Sequence, residues 1–80
     1  MERDKIISRL VKLMEEAFDE DSIEYSDSLT ADDIDEWDSL SNIRFIISVE
    51  RAFNVRFTTG EIEGFKNVGD LVDTIAAKLG

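Results

Sequence analysis

The chain lacks the residues on which several kinds of site depend. It contains no cysteine and no histidine. Without cysteine there are neither disulfides nor thiolate metal ligands, and without histidine the usual general base and zinc ligand are missing. Self-contained hydrolysis of the Ser-His-Asp type is therefore excluded. No apolar run approaches the roughly 20 residues that a membrane span needs. We expect a cytoplasmic protein that has no membrane partner.

The length of the chain limits the size of its core. At 80 residues it is predicted to be one domain, residues 1–80. A domain of this size buries only roughly 60% of the surface that its unfolded chain exposes. We therefore expect one small core and no deep cavity. Proline is absent, and we detect no internal repeat or low-complexity segment.

Positive charge is scarce and unevenly placed. The net charge is −10, and no Lys or Arg occurs between Leu13 and Ile43. Such a charge repels nucleic acid and anionic membranes, so neither is expected as a partner, whereas basic protein surfaces are complementary. The acidic side chains of the Lys- and Arg-free stretch are Glu15, Glu16, Asp19, Glu20, Asp21, Glu24, Asp27, Asp32, Asp33, Asp35, Glu36 and Asp38.

Two long segments have apolar residues at the three- and four-residue steps of a helix. The first predicts a helix over residues 3–18. The second predicts a central helix with an apolar stripe broad enough to touch neighbours on more than one side. Its apolar residues are Leu40, Ile43, Ile46, Ile47, Val49, Ala52 and Phe53.

Two further helix starts follow the central helix. Thr58 with Glu61 fits a capping box before a short third helix, and Asn67 with Asp70 fits the start of a last helix that ends at Gly80. About twenty residues, 19–38, separate the first two helices, and a connection this long is expected to be partly structured or functional. The prediction is an all-α four-helix bundle with a short third helix and a long loop between the first helix (helix I) and the central helix (helix II).

Asp38-Ser39 stands where this loop meets the central helix. Asp and Ser are favoured N-caps, so a purely structural role is one interpretation. A helix start also offers free N–H groups and the positive end of the helix dipole, both of which favour a phosphate. Ser39 could therefore carry a phosphodiester. No histidine is present to activate its hydroxyl, so another enzyme would have to modify it.

The motif and its surroundings resemble the acyl carrier proteins and related phosphopantetheine-binding carrier domains. The resemblance covers nearly the whole chain, including "EWDSLSNIRFIISVERAFNVRF" and "EIEGFKNVGDLVDTI". It implies that a phosphopantetheinyl transferase attaches 4'-phosphopantetheine from coenzyme A to Ser39. The thiol of the cofactor then carries an acyl group as a thioester, which explains how a protein without cysteine would work through a thiol. It implies a carrier of fatty-acid, polyketide or related biosynthesis and not an enzyme.

The resemblance also assigns roles to the neighbours of Ser39. Asp38 matches the acidic residue that helps the transferase and its metal ion engage the site, while the alternative is an N-cap. Leu40 matches an apolar residue that partner enzymes contact, while the alternative is core packing. The residues expected to line the groove for the arm or acyl chain, or else to belong to the core, are Ile62, Phe65 and Val68.

The sequence departs from the family pattern at the expected partner-binding surface. Carriers of primary fatty-acid synthesis usually have a strongly acidic helix II, whereas Glu50 is the only acid here between Ser39 and Asn54. Glu36-Trp37 stands where those proteins commonly have Gly followed by a small residue. Helix II also carries Arg44 and Arg51. These departures favour a specialised carrier, although the two arginines could also be solvated or paired within the acidic surface. The residues predicted to contact partners are Trp37, Ser41, Arg44 and Arg51.

Two other functions remain open at the level of the sequence. A stand-alone peptidyl or D-alanyl carrier would share the arm and differ in cargo. A cofactor-free acidic interaction module would use Ser39 only as a cap. An EF-hand calcium site is excluded because neither Asp19 nor Asp33 begins a loop with ligands in the required register. The expected partners of a carrier are the transferase and acyl-loading and acyl-processing enzymes, and we expect a monomer.

Overall fold

The computed structural model describes residues 2–34 and 37–80. Within these residues there are helices and no strands, which confirms the all-α prediction. The order of elements is α1 (Arg3–Phe18), a 3₁₀ turn (Ala31–Asp33), α2 (Ser39–Phe53), α3 (Thr59–Gly64) and α4 (Val68–Leu79). Glu36, which with Trp37 departs from the family pattern, lies outside the described residues.

The two long helices, α1 and α2, end in the same way without glycine. Asp19 and Asn54 follow them in the left-handed conformation, with φ of 53° and 55°. The next residue in each case donates its N–H to a carbonyl five residues earlier, from Glu20 to Glu15 and from Val55 to Glu50. Asp and Asn tolerate the left-handed region better than most residues, which is why the chain can turn sharply here.

The predicted starts of α3 and α4 are confirmed. The Glu61 N–H donates to Thr58 Oγ1 at 3.1 Å, and the Thr58 N–H donates to Glu61 Oε1 at 2.8 Å, which is a complete capping box. The Asp70 N–H donates to Asn67 Oδ1 at 2.9 Å. Glu61 also forms a 3.1 Å ion pair with Lys78, which links the short α3 to α4.

The core lies where α1 packs against α2 and α4. No polar side chain is buried among the residues that the structure describes. Aromatic rings extend the core towards the start of α2, since Phe18 stacks on Trp37 with ring centres 4.8 Å apart and lies 5.3 Å from Phe45. The buried apolar residues are Ile6, Leu10, Met14, Phe18, Ile34, Phe45, Ile46, Val49, Phe53, Val68, Leu71, Val72 and Ile75.

The buried face of α2 matches part of the stripe that the sequence predicted, since Ile46, Val49 and Phe53 are buried. Phe45 is fully buried although the stripe omitted it, while Leu40, Ile43 and Ile47 are exposed. Apolar residues occupy most of the circumference of α2, so their spacing alone does not choose the buried side. The choice is made by the neighbours, because Phe45 is the residue that reaches the rings of Phe18 and Trp37.

The long loop (residues 19–38) is tied to α4 by backbone hydrogen bonds. The N–H groups of Val68 and Gly69 donate to the carbonyls of Leu29 and Asp27 at 2.8 and 3.0 Å. Helix starts leave such N–H groups without intrahelical partners, and here the loop supplies the acceptors. A Cβ on Gly69 would lie 2.8 Å from the Asp27 carbonyl oxygen, so this close approach requires glycine.

A polar cluster secures the same part of the loop to α1. Arg3 pairs with Asp27 at 2.7 Å and also with Asp73 of α4. The Tyr25 hydroxyl donates to Asp27. Burial and this hydrogen bond raise the pKa of Tyr25 to about 12. The loop is partly structured, as expected, and contains a capped 3₁₀ turn in which the Thr30 N–H donates to Asp33 Oδ2 at 2.9 Å.

Candidate functional site at the start of helix α2

Asp38 and Ser39 have separate structural roles at the start of α2. Asp38 is the N-cap, in an extended conformation, and its Oδ1 accepts a hydrogen bond from the Ser41 N–H at 2.8 Å. This backbone hydrogen bond is the main cause of a lowered pKa for Asp38. Ser39 is the first residue of the helix and is exposed. Because Asp38 supplies the cap, the Ser39 side chain is not needed for it.

An open groove of about 620 Å³ lies beside Ser39. It runs between the long loop, α2, α3 and the start of α4. Ile62 and Phe65 line it and are half-buried, whereas Val68 lines it with 1% of its surface exposed and so also belongs to the core. The three residues predicted for an arm or acyl groove are thus brought together next to the serine. The lining residues are Thr30, Ala31, Asp32, Trp37, Asp38, Ser39, Asn42, Phe45, Ile46, Ile62, Phe65, Lys66, Asn67, Val68 and Leu71.

Trp37 forms one wall of the groove and is half-buried. Its ring stacks on Phe18 and meets the edge of Phe45 at 5.7 Å between ring centres. Its indole Nε1–H donates to Asn42 Oδ1 at 3.0 Å. Much of the ring is therefore held inside the protein, and only part of it is available to a partner.

Asn42 and Phe45 are groove residues that the sequence argument missed. Asn42 lies on the same side of α2 as Phe45, Val49 and Phe53, where a polar side chain needs a hydrogen-bond partner. The signal for Asn42 that the sequence offered was a polar residue among the apolar residues of one helix face. It was hidden because the predicted stripe omitted Phe45 and included Leu40, Ile43 and Ile47, which are exposed.

Leu40, Arg44 and Arg51 lie on the outer face of α2, away from the groove. Leu40 is 62% exposed, which excludes the core-packing interpretation of this residue. Arg44 and Arg51 are exposed, and among residues 2–34 and 37–80 neither forms an ion pair. Ser41 is half-buried and contributes its N–H to the cap. The predicted site residues therefore separate into a groove group and an outer-face group, with Ser39 at their junction.

The described part of the chain offers neither a cluster of metal ligands nor a membrane-spanning helix. These residues contain no group of three or more Asp, Glu, Cys or His positioned to hold a metal ion. No helix there is long and apolar enough to cross a membrane.

Comparisons with known proteins identify the family. No protein-family model matches the chain. It is 44% identical over 45 residues to an acyl carrier protein of Acidothermus cellulolyticus, a match that covers 56% of this chain and 52%, about half, of that relative. The structure is similar to the solution NMR structure of the holo acyl carrier protein from Geobacter metallireducens. The TM-score is 0.87 at 40% identity, with 92% of this chain and 85% of that one covered.

The two similarities support the same assignment from sequence and from structure. The structural match extends over nearly the whole of both chains and includes the four helices. The resemblance stated from the residues around Ser39 is thereby confirmed at the level of the family. The chain belongs to the acyl carrier protein family, whose members are carrier proteins and not enzymes.

Proposed function

We propose that this protein carries an acyl intermediate as a thioester on a 4'-phosphopantetheine arm attached to Ser39. The observation that carries the proposal is the position of Ser39, exposed at the first residue of α2 and at the edge of a groove with an apolar inner wall. Membership of the acyl carrier protein family and the holo form of the structural neighbour support it.

The residues around Ser39 fit such a group. A phosphate on Ser39 Oγ would lie at the N-terminus of a 15-residue helix, where the helix dipole and free N–H groups favour negative charge. The groove of about 620 Å³ is within the range of small-molecule sites, about 300–1,000 Å³. Its inner wall is apolar at Ile62, Phe65 and Val68, which suits the pantetheine chain and a short acyl group.

Attachment requires a proton acceptor, and the usual general base, histidine, is absent from the sequence. In the proposed transfer, Ser39 loses its hydroxyl proton to the transferase. The Oγ then forms a bond to the phosphorus that bears pantetheine. The pyrophosphate bond of coenzyme A breaks, and adenosine 3',5'-bisphosphate leaves. Exposure of Ser39 is essential, because the hydroxyl has to reach another active site.

Asp38 is proposed to assist this transfer while it caps α2. The hydrogen bond from the Ser41 N–H lowers the pKa of the carboxyl and keeps it ionised at neutral pH. A carboxylate accepts at several lone-pair positions, so one oxygen can stay on Ser41 while the other faces a metal ion of the transferase. Structural and functional roles for Asp38 are thus compatible.

Delivery of the acyl group is proposed to use the outer face of α2. Partner enzymes would contact Leu40, Arg44 and Arg51 beside the arm, with Trp37 and Ser41 at the edge of the contact. Tethering through a flexible arm raises the effective concentration of the intermediate at each enzyme to about the millimolar range. The two arginines favour a specialised carrier over one of primary fatty-acid synthesis.

Intact-mass measurement tests the proposal. The protein is incubated with coenzyme A, Mg²⁺ and a broad-specificity phosphopantetheinyl transferase, alongside Ser39→Ala and the matched control Ser48→Ala, which changes a serine two and a half turns further along α2. The parent and Ser48→Ala should gain one phosphopantetheine, and Ser39→Ala should gain none. A parent that gains nothing with several active transferases would contradict the proposal and favour a cofactor-free interaction module.

A further inference from the structure

The outer face of α2 has an unusual combination of apolar and positively charged side chains. One face of the helix carries five side chains, each three or four residues from another member of the set: Leu40, Ile43, Arg44, Ile47 and Arg51. We call these five residues the outer row. Leu40, Ile43 and Ile47 are 62%, 57% and 43% exposed, and they are the large apolar side chains that stand out from the described surface.

The outer row contains no acid to offset its arginines. Glu50 is the only acid in the sequence of α2, and its Oε2 accepts a hydrogen bond from the Phe57 N–H at 2.9 Å. Its carboxylate is therefore directed to the connection between α2 and α3. The adjacent Asp38 caps the start of the helix, where its Oδ1 accepts from the Ser41 N–H.

The positive charge of the outer row is opposite in sign to the net charge of the whole molecule, which is −10. At physiological salt, charges further apart than about 8 Å are largely screened. A partner that docks on the outer row therefore responds mainly to Arg44, Arg51 and the apolar side chains between them. Distant acids of the long loop have less influence on it.

We propose that the outer row docks on a protein surface that presents an apolar pocket flanked by carboxylates. The apolar pocket would receive Leu40, Ile43 and Ile47, and the carboxylates would pair with the guanidinium groups of Arg44 and Arg51. Arginine is well suited to this role because its planar group binds a carboxylate through two hydrogen bonds. The inference rests on the proposed carrier function, and it specifies the chemistry of the carrier's partner enzymes.

Two other occupants fit the charges less well. An anionic membrane would attract the outer row but would repel the rest of a molecule with ten excess negative charges. A basic protein patch would be repelled by Arg44 and Arg51 at the point of closest contact. A second copy of this chain offers acids in its long loop, so self-association is measured in the same experiment.

Two synthetic peptides test the polarity of the face. Both are amphipathic helices with the same leucine face, and one has glutamates beside it where the other has lysines. Each is titrated into the uniformly ¹⁵N-labelled, unmodified protein, and binding is followed by the backbone amide shifts. The variant Arg44→Glu/Arg51→Glu reverses the row, and Arg44→Gln/Arg51→Gln neutralises it. Arg56→Glu and Arg56→Gln are the matched controls, because Arg56 is exposed but lies beyond α2.

The expected result is that the glutamate peptide shifts the amides of the outer row. Charge reversal should weaken its binding about tenfold or more, neutralisation should weaken it less, and the Arg56 variants should bind like the parent. The proposal is overturned if the lysine peptide binds the outer row as tightly, or if the glutamate peptide leaves the row unshifted. Tighter binding of the row to vesicles of anionic phospholipid, or self-association that charge reversal abolishes, would also overturn it.

This test is independent of the phosphopantetheine assay because it uses unmodified protein. If Ser39 is modified but the glutamate peptide does not bind, the carrier function stands and the inferred partner chemistry is wrong. If the glutamate peptide binds but Ser39 is never modified, the docking face stands and the carrier function is wrong.

Discussion

Replacing Gly69 with alanine tests how closely the long loop is held against α4. A Cβ at this position would lie 2.8 Å from the carbonyl oxygen of Asp27 and 2.9 Å from its Cβ. The nearest atom belongs to the backbone, so no flexible side chain can simply move aside. The loop or the start of α4 has to shift, and the hydrogen bonds from Val68 and Gly69 to the loop carbonyls lengthen or break.

The expected loss of stability has three parts. Overpacking costs about 1–3 kcal/mol. Two weakened backbone hydrogen bonds cost about 1 kcal/mol each. Alanine is a better helix former than glycine, which offsets about 1 kcal/mol of this loss. The net cost is about 2–4 kcal/mol, against a total of about 4–12 kcal/mol for 80 residues at typical stability per residue.

Urea unfolding followed by the fluorescence of Trp37, the single tryptophan, measures this cost. Gly60→Ala is the matched control, because a Cβ there meets nothing closer than Thr58 Oγ1 at 3.9 Å. The control should be neutral or stabilised by up to about 1 kcal/mol. If Gly69→Ala unfolds at the same urea concentration as Gly60→Ala, the described contact between loop and helix is wrong.

Three further predictions concern the site and its support. Asp38→Asn should keep the cap of α2 but slow the modification of Ser39, whereas Asp38→Ala should also lower the urea midpoint. If Asp38→Asn and the parent are modified at equal rates, the carboxylate has no role in the transfer. Tyr25, the single tyrosine, should form phenolate near pH 12 in the native protein and near pH 10 in urea, as ultraviolet absorbance would show. Because the folded pKa is the higher one, its contribution to stability is complete below about pH 10 and is lost as the pH rises towards 12. A native midpoint near 10 would contradict the partial burial of Tyr25 and its hydrogen bond to Asp27. Phe45→Ala should cost about 3–5 kcal/mol in urea unfolding, and a loss under about 1 kcal/mol would show that the ring is not in the core.

The sequence was sufficient for the parts of the fold that depend on local patterns. The span of α1 follows from its apolar spacing, and the starts of α3 and α4 follow from the side chains of Thr58 and Asn67, which bond N–H groups only three residues away. Such contacts are determined within one turn of helix, so they are visible in the sequence itself.

The sequence was insufficient where contacts join distant residues. Phe45 was left out of the core because its partners, Phe18 and Trp37, lie in other segments. The groove depends on how α3 and the long loop meet α2, and no local pattern fixes that geometry. Asn42 was recognised as a groove residue only from the structure, where it accepts a hydrogen bond from Trp37. The identity of Ser39 as the candidate attachment site came from the family resemblance, since a helix start alone is equally consistent with a cap.

The most direct test of the central claim is to locate the added mass within the modified protein. After incubation with coenzyme A, Mg²⁺ and the transferase, the chain is digested and its peptides are fragmented in a mass spectrometer. The account predicts one phosphopantetheine on Ser39 and none on Ser41 or Ser48 of the same helix. Attachment at either of those serines, or no attachment under conditions that modify another acyl carrier protein, would contradict it.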